Sequence, residues 1–457
     1  MAYGKHILFG LIALLAAVVA VTAPGGLTPD QAQILAIVLM TLGLWATGLL
    51  PAYLTSLMFF TALLLFGLVD KSVVFSGFTS TAMWLVVSGF VIGAAIGQSG
   101  LGQKIGAHVA PHLSRSYPML VAGMVGLGMG LSFLMPSSMG RAMVLVPVGM
   151  ALADVLGFRK GTKGRTGVAL AIAMSTNVPG FTILPANVPN MVLSGTAENL
   201  LDIHIGYTDY LLLHFPVLGL LKSALMVAAI LFLCPAKAQK SEDAAFTPVE
   251  GSGRHGWLLT ILLVTLALWA TDWLHGLPAA WVGLAAAVLL LMPGIGFLNQ
   301  QQFRGAVDFG TLLLVAGVLA LGVVVTSAGL GDRLAAVVTA ALPLAPGRDL
   351  TNFFSLAALG TLTSILTTMP GVPAVMTPLT QDLAQATGFS TEAVLMSQVL
   401  GFSTVVFPYQ APPLLVAMGL AGEHVRSMIR LTLLMTLLTF VILIPLDFLW
   451  WKLLGVI

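Results

Sequence analysis

Apolar runs of roughly twenty residues, the length that crosses bilayer hydrocarbon as a helix, follow one another along almost the whole chain. In lipid, every backbone N–H and C=O must find its partner within the protein, so runs of this kind fold as helices. Spans are predicted near 7–23, 31–49, 53–69, 80–98, 166–196, 208–234, 256–274, 278–294, 309–327, 391–420 and 428–450. Hydrophobic residues make up 58% of the 457 and charged residues only 8%, which excludes a soluble fold. The class expected is an all-α polytopic membrane protein with about 11 transmembrane helices. The lone Cys234 excludes an internal disulfide framework and a multi-cysteine metal centre. The first run, after Lys5 and His6, has no small-x-small cleavage pattern before the next span and reads as a retained helix.

Two further apolar stretches, 117–157 and 351–388, are each long enough for a re-entrant hairpin. Each breaks at its midpoint. The first elbow is Met135-Pro136-Ser137-Ser138-Met139-Gly140-Arg141, and the second is Thr367-Thr368-Met369-Pro370-Gly371-Val372-Pro373. Broken backbone survives in a bilayer only where protein or a water-filled cavity satisfies it, so paired interruptions point to a binding site at mid-membrane.

The pairing follows from an internal repeat. WLVVSGFVIGAAIGQSGLG, from Trp84 to Gly102, is echoed by LLVAGVLALGVVVTSAGLG from Leu313 to Gly331, an offset of 229. The elbow segments ending at Pro147 and Pro378 repeat at 231, and ILPANVPNMVLSG from Ile183 is echoed by VFPYQAPPLLVAMG from Val406. The expected organisation is an extra N-terminal helix over 1–30, a first repeat over 31–234, a polar cytoplasmic linker over 235–256 and a second repeat over 257–457. An odd number of crossings per repeat inserts the second copy upside down relative to the first. With the N-terminus inside and the C-terminus outside, the loops carry 13 Lys and Arg on the cytoplasmic side against 4 on the other, as the positive-inside rule requires.

Each half thus offers an elbow and a Pro-broken helix. Prolines 185 and 189, and 408, 412 and 413, each remove a backbone donor and free carbonyls one turn back, where a cation could bind. The N-terminus of a half-helix, such as the one near Gly140, suits an anion. Arg141 is the sharpest single residue. It lies about sixteen residues, roughly 24 Å of helix, from the basic cytoplasmic flank, too deep for easy snorkelling. An anionic substrate would supply its missing counter-charge; the competing expectation is a structural Arg that caps carbonyls of the broken helix. Lys222, near the middle of its span, faces the substrate path, binds a carbonyl end or, as the leading expectation, snorkels. Asn187, Asn190 and Gln410 sit at the breaks as hydrogen-bond partners for a ligand or for orphaned backbone. His204 and His214 form no proton-relay pair in the sequence. Trp273, Trp450 and Trp451 are expected at the membrane interface.

These segments, elbows and Pro-broken helices resemble the divalent anion/sodium symporter family of the larger ion transporter superfamily, over nearly the whole chain. The resemblance implies homodimers with a scaffold domain and an elevator-like transport domain that move dicarboxylates, citrate or sulfate, usually with sodium. In that family each hairpin tip carries Ser-Asn-Thr, which falls here on Ser137, Ser138 and Met139 and on Thr368, Met369 and Pro370. The Thr-Pro-Pro-Asn-like runs read Asn187-Val188-Pro189-Asn190 and Ala411-Pro412-Pro413-Leu414. Carried over residue by residue, the substrate positions are Ser137, Ser138, Met139, Gly140, Arg141, Asn187, Pro189, Asn190, Thr368, Met369, Pro370, Gly371, Gln410 and Pro412. Residual sodium positions fall near Ser137, Gly180, Thr368 and Thr404. Much of the family's carboxylate and sodium shell is replaced, and Arg141 stands where a fixed guanidinium could take the place of one sodium ion.

The expectation is a secondary transporter of a small organic or inorganic anion across the cytoplasmic membrane by alternating access, with no cofactor and no nucleic acid partner. A cation/proton antiporter on the same scaffold would carry an Asp or Glu near the breaks, and the sequence order places none there. A sodium-coupled dicarboxylate symporter is the other alternative. A membrane-embedded enzyme would need a nucleophile–base pair or metal cluster within the spans, and no such grouping is evident in the sequence.

Overall fold

The computed structural model describes residues 2–238 and 255–457, so most of the expected 235–256 linker lies outside the described residues. Among the described residues there are helices and no strands. Nine of these helices are long and apolar enough to cross a membrane. Their ends are written in local chemistry. Thr28 and Gln31 form a reciprocal capping box before Pro29–Thr47, and the Ser116, Thr162, Asp308 and Ser390 side chains each accept a backbone N–H of the first turn that follows.

After the Ala2–Thr22 helix, which is mostly exposed and packs on Pro29–Thr47, one succession of elements runs twice. In the first half, Thr81–Ser99 leads through a short helix, Leu101–Leu113, into a hairpin made of Tyr117–Leu134 and Ser138–Val155. A helix broken into Lys163–Ser175 and Val188–Leu201 follows, then a long last helix from Tyr207 to Leu233. The second half repeats this order with Phe309–Ser327, Gly331–Ala341, and a hairpin of Asp349–Thr367 followed by helix from Gly371 to Thr387. The half-helices Thr391–Phe402 and Pro412–Leu420 and the last helix, Val425 to Leu453, complete it. Both last helices widen into π-helical turns, at Phe215–Leu221 and Thr439–Leu443.

The Pro-broken 166–196 and 391–420 spans are each two half-helices joined by irregular backbone. Three expectations are corrected. The 101–113 and 331–341 segments, read as loop, are short amphipathic helices directly after a span, where a polar face meets water or headgroups. Ala52–Leu65 and Ala279–Leu291 are shorter than an 18-residue crossing. Trp451 is not at an interface: it is fully buried, with its ring against His214 and Phe353.

The halves interlock rather than sit side by side. Val188–Leu201 of the first packs on Phe309–Ser327 of the second, while Pro412–Leu420 packs on Ser138–Val155 and Lys163–Ser175. Close approach is set by small residues. A Cβ on Gly401 would stand 2.4 Å from the Gly360 backbone, and one on Gly128 would stand 2.2 Å from Ser175 Oγ. In each half, therefore, a hairpin arm is pressed against the half-helix that precedes the break.

Candidate functional site

Irregular backbone in the first break, residues 176–187, must find partners inside the protein. The first elbow, through Arg141, supplies two of them, and Asn187, Asn190 and Tyr210 supply others. Arg141, fully buried, makes five hydrogen bonds: Nε to Thr176 O (2.9 Å), Nη1 to Met135 O (2.5 Å) and Ala186 O (3.3 Å), and Nη2 to Ser138 Oγ (3.1 Å) and Asn187 Oδ1 (2.9 Å). Asn187 Nδ2 donates to Asn177 O at 2.9 Å, and Asn190 Nδ2 donates to Gly180 O and Ile183 O, both at 2.8 Å. Tyr210 OH, from the last helix of the half, holds Phe181 O at 2.7 Å. Ser137 caps the next helix by accepting Gly140 N–H at 3.1 Å. This elbow meets the middle of the broken span.

The second half uses the same plan with different side chains. Gln410 Oε1 accepts the N–H groups of Val406 (2.9 Å) and Phe407 (2.7 Å), and its Nε2 donates to Ser364 Oγ at 2.7 Å. Thr436 and Thr432 donate to Val405 O and Val406 O. Lys222 is buried and does not snorkel: its Nζ donates to Ser403 O at 2.8 Å, at the carbonyl end of Thr391–Phe402. At the tip, Thr368 adopts φ 72°, the left-handed region that a β-branched residue rarely enters, and its carbonyl accepts Gly371 N–H. That strain sits at the elbow, the place where strained backbone clusters in functional sites.

Both tips and both breaks face one cavity of about 430 Å³. Its wall includes Ser137, Ser138, Met139, Gly140, Asn187, Pro189, Met369, Pro370, Gln410 and Pro412, all of them sequence candidates. Arg141, Asn190, Thr368 and Gly371 stand outside the lining, and Arg141 lies one hydrogen bond behind Ser138 and Asn187. The expectation of Arg141 as a direct ligand gives way to that of a cap on break carbonyls, since every nitrogen of its guanidinium is already engaged within the fold.

Sequence reasoning missed Asn177, Phe181 and Met143, and the opposite wall from Val86, Phe90, Asp308, Thr311 and Leu314. Asn177 is the informative one. Its Oδ1 accepts from Ser138 Oγ at 3.2 Å, while Nδ2 is buried without a partner, a donor at the cavity wall. Its place ten residues before Asn187 gave no signal, because only the fold of the break brings the two together.

Helix starts supply the rest of the electrostatics. The helices beginning at Ser138, Val188, Gly371 and Pro412 all start at residues on or next to this wall, so the positive ends of their dipoles converge there. No Lys or Arg lines the cavity, and Asp308 at its rim is occupied in capping Gly310 and Thr311. This arrangement suits an anion held by backbone and amide donors. Of the break's carbonyls, those of Thr176, Asn177, Gly180, Ile183 and Ala186 accept from Arg141, Asn187 or Asn190. Ser403 O accepts from Lys222, so a fixed cation stands at the carbonyl end in each half.

Comparison with known proteins places the chain in a family and a fold. The family model for the sodium:sulfate symporter transmembrane region matches residues 5–457. A membrane protein of Cupriavidus necator is 25% identical, over 98% of this chain and 92% of its own. The chloroplastic dicarboxylate transporter 2.2 of Arabidopsis thaliana is 25% identical over 94% of this chain and 81% of its own length. Among solved structures, MtrF of Neisseria gonorrhoeae, described as one of a class of antimetabolite efflux pumps, superposes with a TM-score of 0.57 at 13% identity, covering 96% of this chain and 97% of that one.

Proposed function

This chain belongs to the family described as the sodium:sulfate symporter transmembrane region, and from that membership we propose a secondary carrier of a small organic anion that works without sodium. The observation that carries the reading is the convergence of four helix N-termini, drawn from both halves, on one cavity with an unpaired Asn177 donor. The wall between those helix ends is largely apolar, with Met139, Met143, Phe181 and Leu314 among its residues, and the space is about 430 Å³. Such a cavity favours a carboxylate or sulfonate with an apolar body over bare sulfate.

Two fixed cations support the absence of sodium. Arg141 at the first break and Lys222, reaching from the first half to the second break, hold carbonyls that a metal ion would otherwise share. In this reading the hairpins and half-helices move together against Thr81–Ser99 and Phe309–Ser327, in a homodimer within the cytoplasmic membrane, with the N-terminus inside and the C-terminus outside. Counterflow in proteoliposomes tests it, with labelled malate, sulfate and an alkylsulfonate presented in sodium and in potassium buffers. Equal uptake of an organic anion in both buffers is the expected result. Uptake that needs sodium, or no uptake of any of the three, overturns it.

A further inference from the structure

One buried constellation is not used by the anion cavity. Asp447 lies in the last helix of the chain, fully buried, and both of its carboxyl oxygens lack a hydrogen-bond partner. One turn on, the Trp451 indole N–H approaches the carboxyl without completing a hydrogen bond. The Trp451 ring meets that of His214, 5.9 Å between centroids, and both ring nitrogens of His214 are also buried and unpartnered. Buried polar atoms are nearly always satisfied, so three orphaned groups gathered in one place call for a species that visits them. In a membrane span, an ionisable side chain of this kind marks a proton or ion pathway more often than a packing role.

The cluster is wired to both breaks. His214 lies between Tyr210, which holds Phe181 O in the first break at 2.7 Å, and Lys222, which holds Ser403 O at the second at 2.8 Å. Lys222 is near enough for its charge to bear on Asp447, with no ion pair formed between them. Lys222 directly follows the π-helical turn of its helix, and Asp447 stands four residues past that of the other; π turns recur at functional positions. Other titratable groups on the elements packed against Asp447's helix are Tyr210, from the Tyr207–Leu233 helix, and Asp349, from the Asp349–Thr367 helix; Asp349 pairs with Lys452 at the exposed end. The sequence order set Asp447 far from any break; the fold joins it to the second one through Lys222.

We propose that Asp447, with His214 and Lys222 beside it, is a proton-binding site that couples anion movement to proton movement. The proton resides on an Asp447 carboxyl oxygen in one state and is released to water in the other. Its charge is felt at Ser403 through Lys222, and so at the second break. The inference rests on the reading of the chain as an anion carrier, but its first test does not.

Infrared difference titration of the purified full-length protein, compared with Asp447→Asn and Asp447→Glu, reads the proton directly. A protonated-carboxyl band that titrates in the wild type, vanishes in Asp447→Asn and moves in Asp447→Glu is the expected result. Identical spectra for wild type and Asp447→Asn overturn the site. Coupling is read in proteoliposomes with labelled malate and an alkylsulfonate, the membrane potential clamped and a pH gradient imposed. One proton per anion raises accumulation about tenfold per pH unit, and Asp447→Asn loses this response while keeping anion counterflow. Counterflow indifferent to the gradient in the wild type overturns coupling and leaves the carrier reading intact. A titrating band without flux of either anion overturns the carrier reading instead. Thermal unfolding of each variant separates loss of function from loss of fold.

Discussion

Arg141 holds the first elbow to the first break through Thr176 O, Ala186 O and Asn187 Oδ1, and braces the elbow itself through Met135 O and Ser138 Oγ. Arg141→Gln leaves most of those carbonyls buried without a donor, at about 1–3 kcal/mol each. A loss of roughly 3 kcal/mol or more is expected, read as a clear fall in thermal unfolding temperature in detergent, and Arg141→Lys recovers only part of it because an ammonium cannot span the same fork. Asn177 tests the other side of the wall: Asn177→Leu should raise the Kd for the transported anion about tenfold by removing the free donor. Thermal unfolding of the same variant reads the separate cost of losing the acceptor of Ser138 Oγ. The depth and charge of Arg141 were plain in the sequence. Its partners were not, because they are main-chain oxygens thirty-five and forty-five positions away that no residue type announces. Asp447 was hidden for a related reason: it sits among aromatic residues near a helix end, where an acid ordinarily faces water.

At the scale of elements, each hairpin arm packs on a half-helix, and glycine makes the contact possible. Gly401→Val would drive a branched side chain into the Gly360 backbone, where no flexible group can move aside. A destabilisation of about 1–3 kcal/mol follows from overpacking of this kind, measured by thermal unfolding, and Gly401→Ala should show a smaller part of it. Gly180→Ala sets a Cβ 2.7 Å from Arg141 Nη2 and should loosen the first break in the same assay. Elbows, breaks and the repeat were legible because Pro, Gly and small residues recur at nearly constant offset, 229 and 231 residues apart. The short amphipathic helices and the π turns were not: the former are too polar to read as spans, and the latter arise from packing between the two last helices.

The whole molecule is two copies that complete each other. Neither half owns the cavity, since its wall takes elbows, breaks and opposing helices from both. With Cys234 replaced by serine, Met139→Cys and Met369→Cys should react with a hydrophilic thiol reagent and be protected by the transported anion. Asn190→Cys, outside the lining, should react with neither dependence. The pairing of the halves could be read from letters alone; the shared wall could not, because contact between distant segments is a property of the fold. The Tyr207–Leu233 helix carries this furthest. It is pinned through Tyr210 to one break and through Lys222 to the other. A strut bolted at both ends lets neither side open alone, so the two tips should rise and fall as a single gate leaf, with no state in which only one has let go.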